Sequence, residues 1–247
     1  MGVFAAMRFL TALPLPRSML RPGELGRSAA FFPVVGLLLG GALAGLDAIL
    51  RLAWPVSLAS AGVLVALVLL TGGLHIDGLM DSCDGLFGRR EPERRLEIMR
   101  DSRVGSFGAV GAVCVLLVKF AALSELPDVW RIGGLVLMAT LSRWAMVVAI
   151  WGFPYARAQG LGRVFKDEVR WRQVIVATLI AATVAGLGAQ ASGAAVFAVA
   201  ALAMWLTARF ICTRIPGLTG DSYGAVNEVV EVVVLLMFVT LARMSHA

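Results

Sequence analysis

VSLASAGVLVALVLLTGGLHIDGLMDSCDGLFGRR, Val56 to Arg90, holds the two features that decide the fold. Residues 56–74 are a nearly unbroken run of Val, Leu and Ala, long enough to cross a bilayer as a helix. Behind them three aspartates, Asp77, Asp81 and Asp84, crowd into eight residues. Carboxylates in such a setting are costly and usually functional. The stretch therefore predicts a membrane helix that delivers an acidic cluster to one face of the bilayer.

Composition carries the reading to the whole chain. Its 247 residues are 59% hydrophobic and 15% charged, with a mean hydropathy of +0.85. A soluble domain of this length needs far more polar surface. The expectation is an all-α, polytopic membrane helical bundle, one transferase-sized domain over residues 1–247. The 27 glycines suit close helix contacts in lipid. A net charge of +6 and a pI near 10.0 would suggest nucleic acid in a soluble protein. No compact basic patch interleaved with aromatics is present, so the bilayer is the expected partner and nucleic acid is not. Cys83, Cys114 and Cys212 are too scattered for a disulfide framework or a zinc site and read as reduced.

Seven apolar runs are long enough to span, at about 29–50, 56–74, 104–123, 132–153, 174–190, 193–211 and 224–242. The fifth is the weakest, because Gly186, Gly188 and Gln190 dilute its end. The N-terminal MGVFAAMRFLTALPLPRSM (Met1–Met19) lacks the pattern of a signal peptide, since Arg8 interrupts it and no small-x-small cleavage site follows. It predicts a short interfacial helix ended by Pro14 and Pro16. Basic residues then orient the bundle. Seventeen fall on the side of the N-terminus, among them Arg8, Arg17, Arg21, Arg27 and the arginines around Arg89 to Arg103. Three fall on the other side: Arg51, Arg131 and Arg243. The expected topology is N-terminus in and C-terminus out, with the acids on the cytoplasmic face.

On a helix of about 100° per residue, Asp81 stands roughly 40° from Asp77, and Asp84 falls back by roughly 60°. All three carboxylates then share one face. Like charges that close repel unless a cation joins them. Hard oxygen ligands without a Cys or His pair point to Mg²⁺, Mn²⁺ or Ca²⁺. Gly78 and Gly85 open gaps through which a phosphate could approach the backbone. The competing reading is an acidic helix start that caps a dipole, but capping needs one acid, not three over two turns.

RRLEIMRDSRVGSFGAVG (Arg94–Gly111) supplies the basic partner. Arg100 and Arg103 flank Asp101, which could complete a metal site or orient an arginine. Arginine holds phosphate oxygens bidentately, so carboxylates and arginines together suggest a pyrophosphate site. Arg94 and Arg95 read equally well as loop charge alone. GLTGDSYGAVNEVVEVVVLL (Gly217–Leu236) opens the last span. Thr219 or Asp221 can cap that helix. Asp221, Asn227 and Glu228 are candidate substrate-binding residues, while Glu228 and Glu231 could instead pair with Arg143 or Lys119 on other helices. His75 is either a general base or a hydrogen-bonding support.

GGLHIDGLMDSCDGLFG and RRLEIMRDSRVGSFG, with RFLTALPLP near the N-terminus and GDSYGAVNE near the C-terminus, resemble the adenosylcobinamide-GDP ribazoletransferase (cobalamin synthase) family. The resemblance covers almost the whole chain; Met80 and Cys83 stand where smaller residues are expected. It implies a Mg²⁺-dependent enzyme of the inner membrane, open to homo-oligomer formation. The implied reaction joins adenosylcobinamide-GDP to α-ribazole, or its 5′-phosphate, and releases GMP. The metal ligands would be Asp77, Asp81, Asp84 and Asp101, with Asp84, Asp81 or His75 taking the proton of the ribazole 5′-hydroxyl. Arg100 and Arg103 would hold the equatorial phosphate oxygens. Asp81-x-x-Asp84-Gly85 also resembles the start of the CDP-alcohol phosphatidyltransferase signature, and Asp77-x-x-x-Asp81 that of intramembrane prenyltransferases; both matches are partial. A cation-coupled transporter would place its acids at mid-membrane and carry a repeat, and no repeat is visible.

Overall fold

The computed structural model describes residues 2–15, 24–88, 90–189 and 192–245. Pro16, Arg17, Arg21, Arg89 and Gln190, named above, lie outside them. The described chain is all-α: α1 (Gly2–Leu10), α2 (Glu24–Ser28), α3 (Phe32–Leu50), α4 (Val56–Leu70), α5 (Leu74–Leu86) and α6 (Pro92–Ile98) are followed by α7 (Ser106–Glu125), α8 (Asp128–Gly152), α9 (Leu161–Glu168), α10 (Trp171–Ala189), α11 (Gly193–Cys212) and α12 (Gly220–Met244). Strand-like pairing among the described residues is confined to one bridge between Tyr155 and Leu218.

Six helical segments among the described residues, Glu24–Leu50 (α2 and α3 with the turn between them), α7, α8, α10, α11 and α12, are long and apolar enough to cross a bilayer, and the count is seven if α4 and its bent continuation α5 are one span. The expected membrane bundle of about seven spans is what forms. Helix α8 is the central post, with 78% of its apolar window buried, against 28% for α7 and 22% for α10, which therefore face lipid. It packs along α3, where Gly36 and Gly40 bring the two backbones together, and along α12. At one end of the bundle Arg131 and Asp47 form a buried ion pair, joined by Arg51 to Asp128 at the surface.

The second apolar run does not continue straight into the acids. Gly72 and Gly73 take positive φ of 61° and 72°, and α5 leaves at 87° to α4. A side chain is disfavoured at such φ. The 13-residue α5 then lies against the first turns of α7 and α12. The N-terminal run is helical as expected, ending at Leu10 before Pro14, and it packs on α2 and α3. Phe9 of α1 stacks on Phe32 and meets Phe165 of α9, 4.7 Å between centroids, which closes the bundle beneath α5. Two short helices, α6 and α9, were not expected in the basic connections.

Candidate active site

Helix α5 is held by backbone contact on one side. Gly78 abuts the backbone of Asp221, and Gly224 abuts that of His75; a methyl group at either position would meet main-chain atoms at 2.7 and 2.9 Å. Gly85 is likewise buried against Met99 and the Arg95 carbonyl. The glycines read as gaps for a phosphate are thus spent on helix contact. Arg95 closes the other end of α5, donating to the carbonyls of Gly85, Leu86, Gly88 and Arg90.

The three aspartates do share the helix, but they are not equivalent. Asp77 is exposed and Asp81 half-buried, while Asp84 is buried. Both oxygens of Asp84 accept backbone N–H groups, from Gly105 and Gly108, at 2.8 Å each. It caps the start of α7, the role weighed above for a single acid. Asp81 lies in the field of Asp221, Asp77 and Asp84, with Arg157 the main opposing charge.

Asp221 reaches this group because Thr219, not Asp221, caps α12: its Oγ1 accepts the Ser222 N–H at 3.2 Å. Helix α12 begins at Gly220, four residues earlier than expected, so Asp221 sits in its first turn. Arg157 pairs with Asp221 at 2.7 Å and also donates to the Met99 carbonyl. Sequence reasoning counted Arg157 only as loop charge. The bridge that places it runs from Ala156 N–H to the Leu218 carbonyl and from Leu218 N–H to the Pro154 carbonyl, both 2.8 Å. No local sequence signal announces such a long-range pairing.

Of the two readings of Asp101, the structure contains the second, in which it orients an arginine. Asp101 is turned outward and bound by Arg103 through its side chain at 2.7 Å, which holds its carboxyl down at about 2. The charges acting on it are those of Arg103 and Arg94, so the structure does not bring Asp101 to Asp77, Asp81 and Asp84. Arg100 is exposed, and the Tyr155 phenol is pushed up by burial.

Asn227 and Glu228 are buried and turn into the bundle core rather than to the acids of α5. Lys119 of α7 pairs with Glu228 at 2.6 Å and with Glu231; Arg143 of α8 pairs with Glu231; Asn227 donates to Glu231 at 3.0 Å. Two cations and two carboxylates thus balance inside the apolar interior, the arrangement such groups require there. Pairing is the reading that the geometry contains for these residues. His75 is buried beside the network, its Nδ1 3.5 Å from Arg143 Nη2.

A partly open cavity of about 160 Å³ lies between α1, α5, α8, α9 and α12. Asp77 and Asp221 stand at its lining with His75, and Phe9, Met146, Ile150, Phe165 and Tyr223 make it apolar. Among the described residues, no three or more of Asp, Glu, His and Cys are drawn together as a finished cation site. The donor chemistry nonetheless fits Mg²⁺, which is commonly held by one or two carboxylates while substrate phosphates supply the other oxygens.

Comparison with known proteins places the chain as a whole. The family model described as cobalamin-5-phosphate synthase matches residues 2–239. A protein of Pseudomonas savastanoi pv. phaseolicola named adenosylcobinamide-GDP ribazoletransferase is 43% identical over 244 residues, 96% of this chain and 98% of its own. Proteins of the same name from Desulfitobacterium hafniense and Desulforamulus reducens are 42% and 40% identical, covering 95% and 94% of this chain and 94% and 93% of their own. No solved structure matches. With nearly the full length matched on both sides, the chain belongs to the cobalamin-5-phosphate synthase family.

Proposed function

We propose that this membrane protein joins adenosylcobinamide-GDP to α-ribazole, or to α-ribazole 5′-phosphate, giving adenosylcobalamin or its 5′-phosphate and GMP. Family membership supports the reaction. The observation that supports its location is the convergence of Asp77, Asp81 and Asp221 with Arg157 at one end of the bundle. The basic loops that surround this end favour the cytoplasmic face.

The reaction is a direct displacement at phosphorus. A ribose oxygen of the acceptor attacks the corrinoid-side phosphorus of the pyrophosphate, the bond to the bridging oxygen breaks, and GMP departs. The attacking group cannot be the 5′-hydroxyl considered above. An acceptor phosphorylated at the 5′ position has none free, and the family's description names a 5-phosphate product. Another hydroxyl of the ribose must attack. Asp81 is the group we assign to receive its proton, because it is a half-buried carboxylate lying among Asp77, Asp221 and Arg157. Asp84 is less suited, with both oxygens engaged by α7. Arg157 and the exposed Arg100 are placed to hold phosphate oxygens. Asp77 and Asp81 would hold Mg²⁺ together with phosphate oxygens of the substrate, and its charge would offset that of the pyrophosphate.

The test uses purified protein in detergent with adenosylcobinamide-GDP, α-ribazole and Mg²⁺. GMP release with a product of the mass of adenosylcobalamin is expected. Intact substrates after prolonged incubation with folded protein would refute the reading.

A further inference from the structure

The cavity beneath α5 has a polar mouth and an apolar floor. Asp77, Gly220 and Leu161 are exposed, whereas His75, Met146, Ile150, Phe165 and Tyr223 are each at most 3% exposed. Two polar atoms on those buried side chains have no partner: His75 Nε2 and the Tyr223 hydroxyl. Buried polar groups are nearly always satisfied, and both residues belong to the walls of this cavity.

Arg143 fixes what His75 can offer. A guanidinium only donates, so the ring nitrogen facing it, Nδ1, accepts. The proton of the neutral imidazole then sits on Nε2. In that tautomer Nε2 is a donor, which is the wrong form for a general base.

We infer that this cavity receives the planar base of the acceptor nucleoside, with His75 Nε2–H donating to the unsubstituted ring nitrogen. The inference rests on the reaction proposed above. An apolar cavity of ~150 Å³ holds a benzene ring, and this one, at about 160 Å³, is partly open and has Asp77 and Asp221 in its lining. The ring it suits is mostly apolar with one acceptor. The dimethylbenzimidazole of α-ribazole is such a ring. Guanine, at the other end of the donor substrate, carries several donors and acceptors that these walls leave unmatched. A base on the floor also directs its ribose toward Asp77 and Asp221 at the mouth, where the attacking hydroxyl is needed.

The experiment changes the floor at Ile150, in the full-length protein. Ile150→Phe narrows the cavity and Ile150→Ala widens it. With α-ribosides of imidazole, dimethylbenzimidazole and naphthimidazole, the preference in kcat/KM should move at least about tenfold toward the smallest base in the first variant and toward the largest in the second. KM for adenosylcobinamide-GDP should stay within about twofold in both. With the wild-type protein, free 5,6-dimethylbenzimidazole should compete with α-ribazole and not with adenosylcobinamide-GDP. Unchanged base preference in either active variant would overturn the inference, as would competition with the corrinoid substrate alone; the competition arm decides it if neither variant folds. Failure of the wild-type protein to release GMP would instead overturn the reaction itself.

Discussion

Asp84 and Gly108 are joined by a hydrogen bond of 2.8 Å from the Gly108 N–H to the Asp84 carboxylate, whose second oxygen takes the Gly105 N–H. One member of the acidic cluster is thereby committed to holding α7 against α5. Asp84→Asn keeps the volume but offers a single acceptor to two N–H donors, and its amide NH₂ faces the other. The loss should be about 1–3 kcal/mol of stability. Thermal unfolding in detergent should show Asp84→Asn melting well below the wild type and Asp77→Asn, at an exposed position, melting with it. Identical melting of all three proteins would remove the distinction between the acids.

Arg157 is the second residue whose weight the structure alters. It is the main opposing charge at Asp81 and the ion-pair partner of Asp221. Arg157→Ala should reduce kcat/KM by about tenfold to a hundredfold, ~1.4–2.8 kcal/mol. Because the two residues share one interaction, Arg157→Ala with Asp221→Asn should cost less than the two changes taken separately. Additive losses in the double-mutant cycle would mean that the pair does not act as a unit.

The apolar periods made the spans legible, and the pattern of three acids on one helix made the cluster legible, because both are local properties of the chain. The turn between α4 and α5 was not read: the expected span ran through Gly72-Gly73 to residue 74, and nothing nearby gives the 87° angle. What could not be read were the pairings between distant segments. Asp84 capping α7 and Arg157 meeting Asp221 each join residues set apart by loops whose course depends on the assembled bundle. For Glu228 and Glu231 chemistry alone allowed two roles, binding or pairing. Only the positions of α7 and α8 beside α12 decide that their partners are Lys119 and Arg143.

That buried network yields its own test. Lys119→Met leaves Glu228 without its cation inside the bundle, which should cost about 3–5 kcal/mol. Adding Glu228→Leu removes the stranded charge and leaves Arg143 paired with Glu231. Most of the stability should return, since replacing both partners by apolar residues is often neutral. Unfolding of single and double variants in detergent measures this. A double variant as unstable as the sum of its parts would show that the network does more than balance charge.

The orientation is tested by labelling in intact cells. In a background lacking Cys83, Cys114 and Cys212, a cysteine replacing Glu125, exposed at the end of α7, should react with an impermeant maleimide. One replacing Arg90, exposed between α5 and α6, should react only after the cells are opened. The reverse pattern would place the acidic cluster on the outer face and contradict the excess of basic residues at that end.

Asp77 and Asp81 carry the last prediction. Each Asp→Asn change removes a negative charge from a crowded group and preserves volume, so neither should weaken the fold. Both should cut turnover by at least about two to three decades, ~3–4 kcal/mol, because charge neutralisation dominates transfer at phosphorus. Their losses should fall short of additivity, as expected for residues of one site. They should part company when Mg²⁺ is raised. On the proposed mechanism Asp77, exposed in the cavity lining, would supply only an oxygen ligand, so Asp77→Asn should regain activity as the cation is forced in by mass action. Asp81 would also receive the proton of the attacking hydroxyl, which no cation concentration restores, so Asp81→Asn should stay inactive. Initial rates of GMP release across a Mg²⁺ titration, with an EDTA arm, measure both. Rescue of Asp81→Asn alone would exchange the two roles. Near-normal turnover of either variant in EDTA would mean that these acids hold no metal at all.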